Sequence, residues 1–146
     1  FNEQDGLAEL YRRIVAASVA WKDDFEIILV DDGSSDATMA IATRLAASDA
    51  RFRVVSLSRN FGHQVAVSAG LAHASGEIVS VMDADLQDPP EELHHFLDKL
   101  AEGFDVVYAV RTKRKENIFK RSCYFLYYRL LRRMATLEIP LDAGDF

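Results

Sequence analysis

Four short apolar, β-branched runs punctuate the chain, at residues 25–30, 53–57, 77–82 and 105–110, and they begin 28, 24 and 28 residues apart. The intervals between them, and the stretch before the first, carry apolar residues at helical spacing over about 5–20, 36–48, 63–74 and 90–102. Strand and helix therefore alternate, which predicts an α/β fold: a mostly parallel central sheet flanked by helices on both faces. Asp36 with Thr38, and Pro89-Pro90 ahead of Glu91-Glu92, read as helix starts.

Composition narrows this picture. The 146 residues, 49% hydrophobic and 27% charged, suffice for one domain with a real core. The single cysteine, Cys123, excludes an internal disulfide and a cysteine-built metal site, and it reads as structural. No apolar run reaches the roughly 18 residues of a membrane span. The chain opens on Phe1, without the apolar strand expected to lead into Asn2-Glu3, so the domain is expected to be truncated at both ends.

Chemistry enters at the strand ends. Asp83-Ala84-Asp85 follows the apolar run 77–82, and two carboxylates so close repel each other unless a hard divalent cation joins them. Asp31-Asp32 closes the run 25–30 in the same way. Open α/β sheets bind ligands at the carboxyl ends of their strands, where all four aspartates fall. Neither a GxGxxG fingerprint nor a GxxxxGK[ST] loop occurs, so the phosphates of a nucleotide would be met through a metal ion and not through a glycine-rich cradle. The expected ligand is a metal-bound diphosphate.

The net charge of −6 conceals an asymmetry. Residues 111–133 hold nine of the 17 basic residues against one acid, Glu116, which leaves 8 basic residues facing 22 acidic ones elsewhere. At about 100° per residue, with Ile118 at zero, Arg121, Arg129, Arg132 and Arg133 fall between roughly 300° and 60°. Phe119, Cys123, Leu126, Tyr127, Leu130 and Met134 fall between roughly 80° and 180°, while Ile118 and Phe125 intrude on the cationic arc. This is a basic amphipathic helix, a pattern shared by ordinary core helices with a solvated face and by helices lying on anionic membranes. Arg111, Lys113 and Arg114 follow the run 105–110, on the same sheet edge as the acidic groups, and suit an acceptor phosphate that those acids would otherwise repel.

Five ordered motifs now stand along the chain: Phe1-Asn2-Glu3; Asp31-Asp32-Gly33-Ser34-Ser35-Asp36; Ser58-Arg59-Asn60-Phe61-Gly62-His63-Gln64; Asp83-Ala84-Asp85-Leu86-Gln87-Asp88-Pro89-Pro90; and Leu141-Asp142-Ala143-Gly144-Asp145-Phe146. Together they resemble the family 2 glycosyltransferases of GT-A fold, and within them the polyprenyl-phosphate and dolichyl-phosphate sugar transferases. The resemblance implies an inverting, metal-dependent hexosyltransferase that moves a sugar from a nucleotide-diphosphate donor to a lipid phosphate at the cytoplasmic membrane face, with anchoring segments outside this stretch. It implies Mg²⁺ or Mn²⁺ held by Asp83, Asp85 and Gln87, and a nucleotide met by Asn2, Glu3, Asp31, Asp32 and Asp83. Asp142, Asp145 and Asp85 become the candidate catalytic groups, with the base left open. Residues 1–110 would form the nucleotide-sugar-binding core and 111–146 the acceptor loop, basic helix and start of the acceptor-side motif. An anionic membrane surface is an expected partner and nucleic acid is not; oligomeric state is left open.

Other readings compete. A glycosyltransferase acting on a saccharide hydroxyl would share the donor motifs. A phosphorelay receiver would use Asp31-Asp32, Asp83 and Lys113 but requires neither Asp85, Gln87 nor the basic segment. A non-catalytic nucleotide-sugar or membrane-binding module is the third. His63 reads as structural or helix-capping, and His73, His94 and His95 as helix residues without a catalytic role.

Overall fold

The computed structural model describes residues 1–21 and 24–109. The region 1–103 is one compact unit, and residues 104–146 belong to a second. In the first, helix α1 (Leu7–Ala17), extended by a 3₁₀ turn at Ser18–Ala20, leads to strand β1 (Ile27–Asp31), helix α2 (Thr38–Ser48), strand β2 (Phe52–Ser56) and helix α3 (His63–His73). A 3₁₀ turn at Pro90–Glu92 then opens helix α4 (Leu93–Ala101). The strands pair in parallel, from Ile27 opposite Phe52 to Asp31 opposite Ser56. The unit is α/β, with a parallel sheet between helices.

Side-chain alternation along the strands explains the layering. Ile27, Leu29, Phe52 and Val54 share one face and pack with Leu7 and Tyr11 of α1 and Ile41, Ala42 and Leu45 of α2. Tyr11 meets the Phe52 ring edge-on, with centroids 5.6 Å apart. Val30 points to the opposite face, where α3 lies so close that a Cβ on Gly70 would sit 3.3 Å from it.

Polar clamps close the end of the sheet where the strands begin. The Tyr11 hydroxyl donates to Asp49 (2.8 Å), which also pairs with Arg51 (2.7 Å); Arg51 in turn lies over the Phe25 ring. Glu26 accepts from the Ser75 N–H (2.8 Å) and hydroxyl (2.6 Å) and from Arg53 (2.8 Å), fastening the exit of α3 to the start of β1. These donors pull the Glu26 carboxyl down to about 2, the Ser75 hydroxyl most strongly.

Two expected strands differ. Residues 77–82 make no ladder among the described residues, and Ile78, Val79 and Val81 are exposed. Residues 105–109 likewise form no strand, and Val106 and Tyr108 are exposed. Strand propensity reflects packing against neighbours, so an apolar run with no partner strand among the described residues takes no ladder there. The expected helix over 117–134 lies outside the described residues.

Candidate active site

Four loops meet where the strands end, and backbone hydrogen bonding explains how each is held. The first, residues 2–6, is sewn to the second, the turn after β1 at residues 34–38. The Asn2 N–H donates to the Ser34 hydroxyl (2.9 Å), the Ser35 N–H to the Asn2 side-chain oxygen (2.9 Å), the Glu3 N–H to the buried Thr38 hydroxyl (2.8 Å) and the Ala37 N–H to the Gln4 side-chain oxygen (3.0 Å). Asp36 accepts from the Thr38 N–H (2.9 Å) at the start of α2 and from the Gln4 N–H (3.3 Å). Burial alone would raise the Asp36 carboxyl; the hydrogen bonds from Thr38 and Gln4 outweigh it and hold it below its ordinary value.

The acidic pair at the end of β1 is buried, Asp31 at 3% exposure and Asp32 at 5%. Asp31 accepts from both the N–H and the hydroxyl of Ser34, which closes its own turn. Asp32 reaches across to the loop after β2: its two oxygens accept the N–H groups of Phe61 (2.8 Å) and Gly62 (2.9 Å). Gly33 makes that approach possible. Its φ is +70°, and a Cβ there would lie 2.5 Å from the carbonyl carbon of Arg59. The aspartates expected to meet a nucleotide base thus each carry local hydrogen bonds that shape the site, and the adjoining loop sets the Arg59 guanidinium over the Phe61 ring.

The fourth loop carries the Asp83-Ala84-Asp85 turn. Both carboxylates are exposed, Asp83 lies with its nearer oxygen 3.8 Å from the His63 ring nitrogen at the start of α3, and Asp85 accepts the Gln87 N–H (2.9 Å). Leu86 between them has φ +64°, a conformation that costs a leucine about 1–2 kcal/mol. Beyond it, Asp88 and Pro90 are buried. Arg13 of α1 grips Glu91 with two hydrogen bonds (2.8 and 2.6 Å), and this pairing holds the Glu91 carboxyl down to about 2.

Among the described residues no three His, Cys, Asp or Glu side chains converge on one point. Asp83, Asp85 and Gln87 offer oxygen ligands only. Such a set fits a hard cation that keeps waters and shares a ligand's phosphates, and does not form an all-protein cage.

Of the expected site residues, Asn2, Glu3, Asp31, Asp32, Asp83, Asp85 and Gln87 lie in these converging loops. Arg111, Lys113, Arg114, Asp142 and Asp145 lie outside the described residues. Sequence reasoning marked Thr38 only as part of a helix start and passed over Gln4, Gly6 and the backbone of Leu86. For Leu86 no signal existed, since leucine rarely adopts positive φ.

The architecture defines a class, an α/β domain whose acidic loops gather at the carboxyl edge of a parallel sheet. Over residues 1–146 the chain matches the family model described as glycosyl transferase family 2, and it belongs to that family. It is 44% identical over 147 aligned positions to the uncharacterized glycosyltransferase YkcC of Bacillus subtilis (strain 168), covering all of this chain and 46% of that one. It is 42% identical over 134 positions to an undecaprenyl-phosphate 4-deoxy-4-formamido-L-arabinose transferase of Klebsiella pneumoniae (strain 342), covering 91% of this chain and 41% of that one. The chain spans less than half the length of these relatives. The parallel pair with flanking helices is consistent with the GT-A fold, and membership of the family sets aside the phosphorelay receiver.

Proposed function

We propose that the chain is the donor-binding part of an inverting glycosyltransferase that moves a sugar from a nucleotide diphosphate to a polyprenyl or dolichyl phosphate. The observation that carries this reading is the exposed Asp83-Ala84-Asp85 turn, set beside the loops after β1 and β2 and braced from α1 by Arg13. The relatives named as undecaprenyl-phosphate sugar transferases support the lipid-phosphate acceptor.

Asp83 and Asp85, with Gln87, would hold Mg²⁺ or Mn²⁺. When bound, the ion neutralises charge on the departing nucleotide diphosphate. Asp31 or Asp32 accepts from the nucleotide base, on a carboxylate whose direction is already fixed by Ser34 or by the Phe61 and Gly62 N–H groups. Asn2 and Glu3 border the same edge. A carboxylate oxygen has two lone pairs, so these local bonds leave acceptor capacity. Arg111, Lys113 and Arg114 bind the acceptor phosphate, whose second pKa near about 6 leaves it largely anionic at neutral pH. A strong general base is therefore less necessary, and Asp142 or Asp145 orients acceptor or sugar. The basic helix over 117–134 rests on the anionic cytoplasmic membrane surface. Among the described residues no helix is long and apolar enough to cross a membrane.

The test is calorimetric titration of full-length protein with UDP- and GDP-sugars, with and without Mn²⁺. One donor should bind only with metal, and Asp85→Asn should weaken it by at least about tenfold, roughly 1.4 kcal/mol. Equal binding by this variant in excess EDTA would overturn the metal-dependent reading.

A further inference from the structure

The turn that carries Asp83 and Asp85 owes its shape to a contact that no motif announces. Leu86 holds φ +64°, where leucine is disfavoured, and such a conformation persists only where the surroundings enforce it. Gly6, at the entrance to α1, has φ −100° and ψ −26°, a backbone open to any residue. What crowds a side chain there is Leu86: a Cβ on Gly6 would lie 3.3 Å from the Leu86 Cδ1, a contact that a methyl group could make only if Leu86 shifted by a few tenths of an ångström, and 3.7 Å from the Ala84 carbonyl oxygen. The two anomalies explain each other. The bare backbone of Gly6 is the seat, and Leu86 pressed against it holds the turn in which the Gln87 N–H comes back onto Asp85.

We infer that Gly6 and Leu86 are positioning residues that hold Asp83 and Asp85 in the geometry that receives a divalent cation with its nucleotide diphosphate; this rests on the function proposed above. Neither touches the cation. The seat also joins the loop 2–6, which carries Asn2 and Glu3, to the acidic turn, so that the two borders of the site touch at one point.

The experiment compares the full-length parent with Gly6→Val, which fills the seat, and Leu86→Gly, which removes the anchor but tolerates positive φ. Mn²⁺ binding in the presence of UDP or GDP is read by electron paramagnetic resonance, the Gln87 amide by nuclear magnetic resonance, and the fold by circular dichroism. Both variants should keep the fold, bind Mn²⁺ at least about tenfold more weakly and move the Gln87 amide resonance towards its random-coil position. Parent-like Mn²⁺ binding in both variants would overturn the inference. So would an unmoved Gln87 amide in both. If the parent itself binds no Mn²⁺ with either nucleotide, the metal-dependent reading fails and the positioning role with it, while a moved Gln87 amide would leave only a structural seat. Gly6→Ala, whose Cβ asks the Leu86 side chain to give by a few tenths of an ångström, should lie between parent and Gly6→Val; the reverse order would contradict steric filling as the cause.

Discussion

Asp32 holds two backbone N–H groups of a loop thirty residues away, and removing its carboxylate tests whether that link organises the site. In Asp32→Ala the Phe61 and Gly62 N–H groups, now 2.8 and 2.9 Å from carboxylate oxygens, lose their acceptors. Hydrogen bonds to a charged group contribute about 1.5–3 kcal/mol each, but Phe61 is exposed and water can replace part of the loss. The expected destabilisation is therefore about 2–4 kcal/mol, well below the simple sum at its upper end. With a urea slope of about 2 kcal/mol/M, the middle of the usual range, the unfolding midpoint should fall by roughly 1–2 M at constant slope. Asp32→Asn keeps one acceptor oxygen but turns an amide towards the second donor, so it should fall between parent and alanine. The assay is urea unfolding followed by circular dichroism. A midpoint within roughly 0.2 M of the parent for Asp32→Ala would refute the link.

Three further outcomes follow from the same physics. Gly33→Ala should destabilise by at least about 2 kcal/mol, because the left-handed backbone costs alanine about 1–2 kcal/mol and its Cβ would meet the Arg59 carbonyl carbon at 2.5 Å; thermal unfolding reads it, and a parent-like midpoint would contradict the close approach. Glu26 is held at about 2 in the fold against an ordinary 4.5, so its contribution is complete above the ordinary value and is lost as pH falls from there towards 2. Urea midpoints across that window should fall less steeply for Glu26→Gln than for the parent, and parallel curves would rule the clamp out. Reversing Arg129, Arg132 and Arg133 to Glu should reduce binding to anionic vesicles by orders of magnitude, at about 1 kcal/mol per charge, while nucleotide titration stays unchanged; unchanged co-sedimentation would make 117–134 an ordinary core helix.

Helices α1 and α2 were legible because each buries one stripe against the sheet: Leu7 and Tyr11 of α1, and Ile41, Ala42 and Leu45 of α2, are the apolar positions that the periodicity marks. Their starts were legible too, since Asp36 accepts the Thr38 N–H as a helix-starting aspartate does. The acidic loops were readable as strand ends, yet their hydrogen bonding was not. Asp31 turns on its own Ser34 while Asp32 crosses to Phe61 and Gly62, a division set by tertiary approach and invisible in two adjacent identical residues. The apolar run 77–82 shows the opposite failure: composition favours a strand, but a ladder needs a neighbour, and among the described residues Ile78, Val79 and Val81 stand exposed without one. Leu86 was illegible for a third reason, because its backbone is imposed by Gly6, eighty residues earlier.

The central claim is transfer of a sugar from a nucleotide diphosphate to a lipid phosphate, and one measurement bears on it most directly. Full-length protein is incubated with radiolabelled UDP- or GDP-sugars, Mn²⁺, and vesicles containing either undecaprenyl phosphate or the dephosphorylated alcohol, and label is followed into the organic phase. The account predicts organic-phase label with one donor, only with the phosphorylated lipid, and its loss in Asp85→Asn. Label appearing equally with the alcohol, or staying aqueous with every donor while the protein still binds nucleotide, would contradict it.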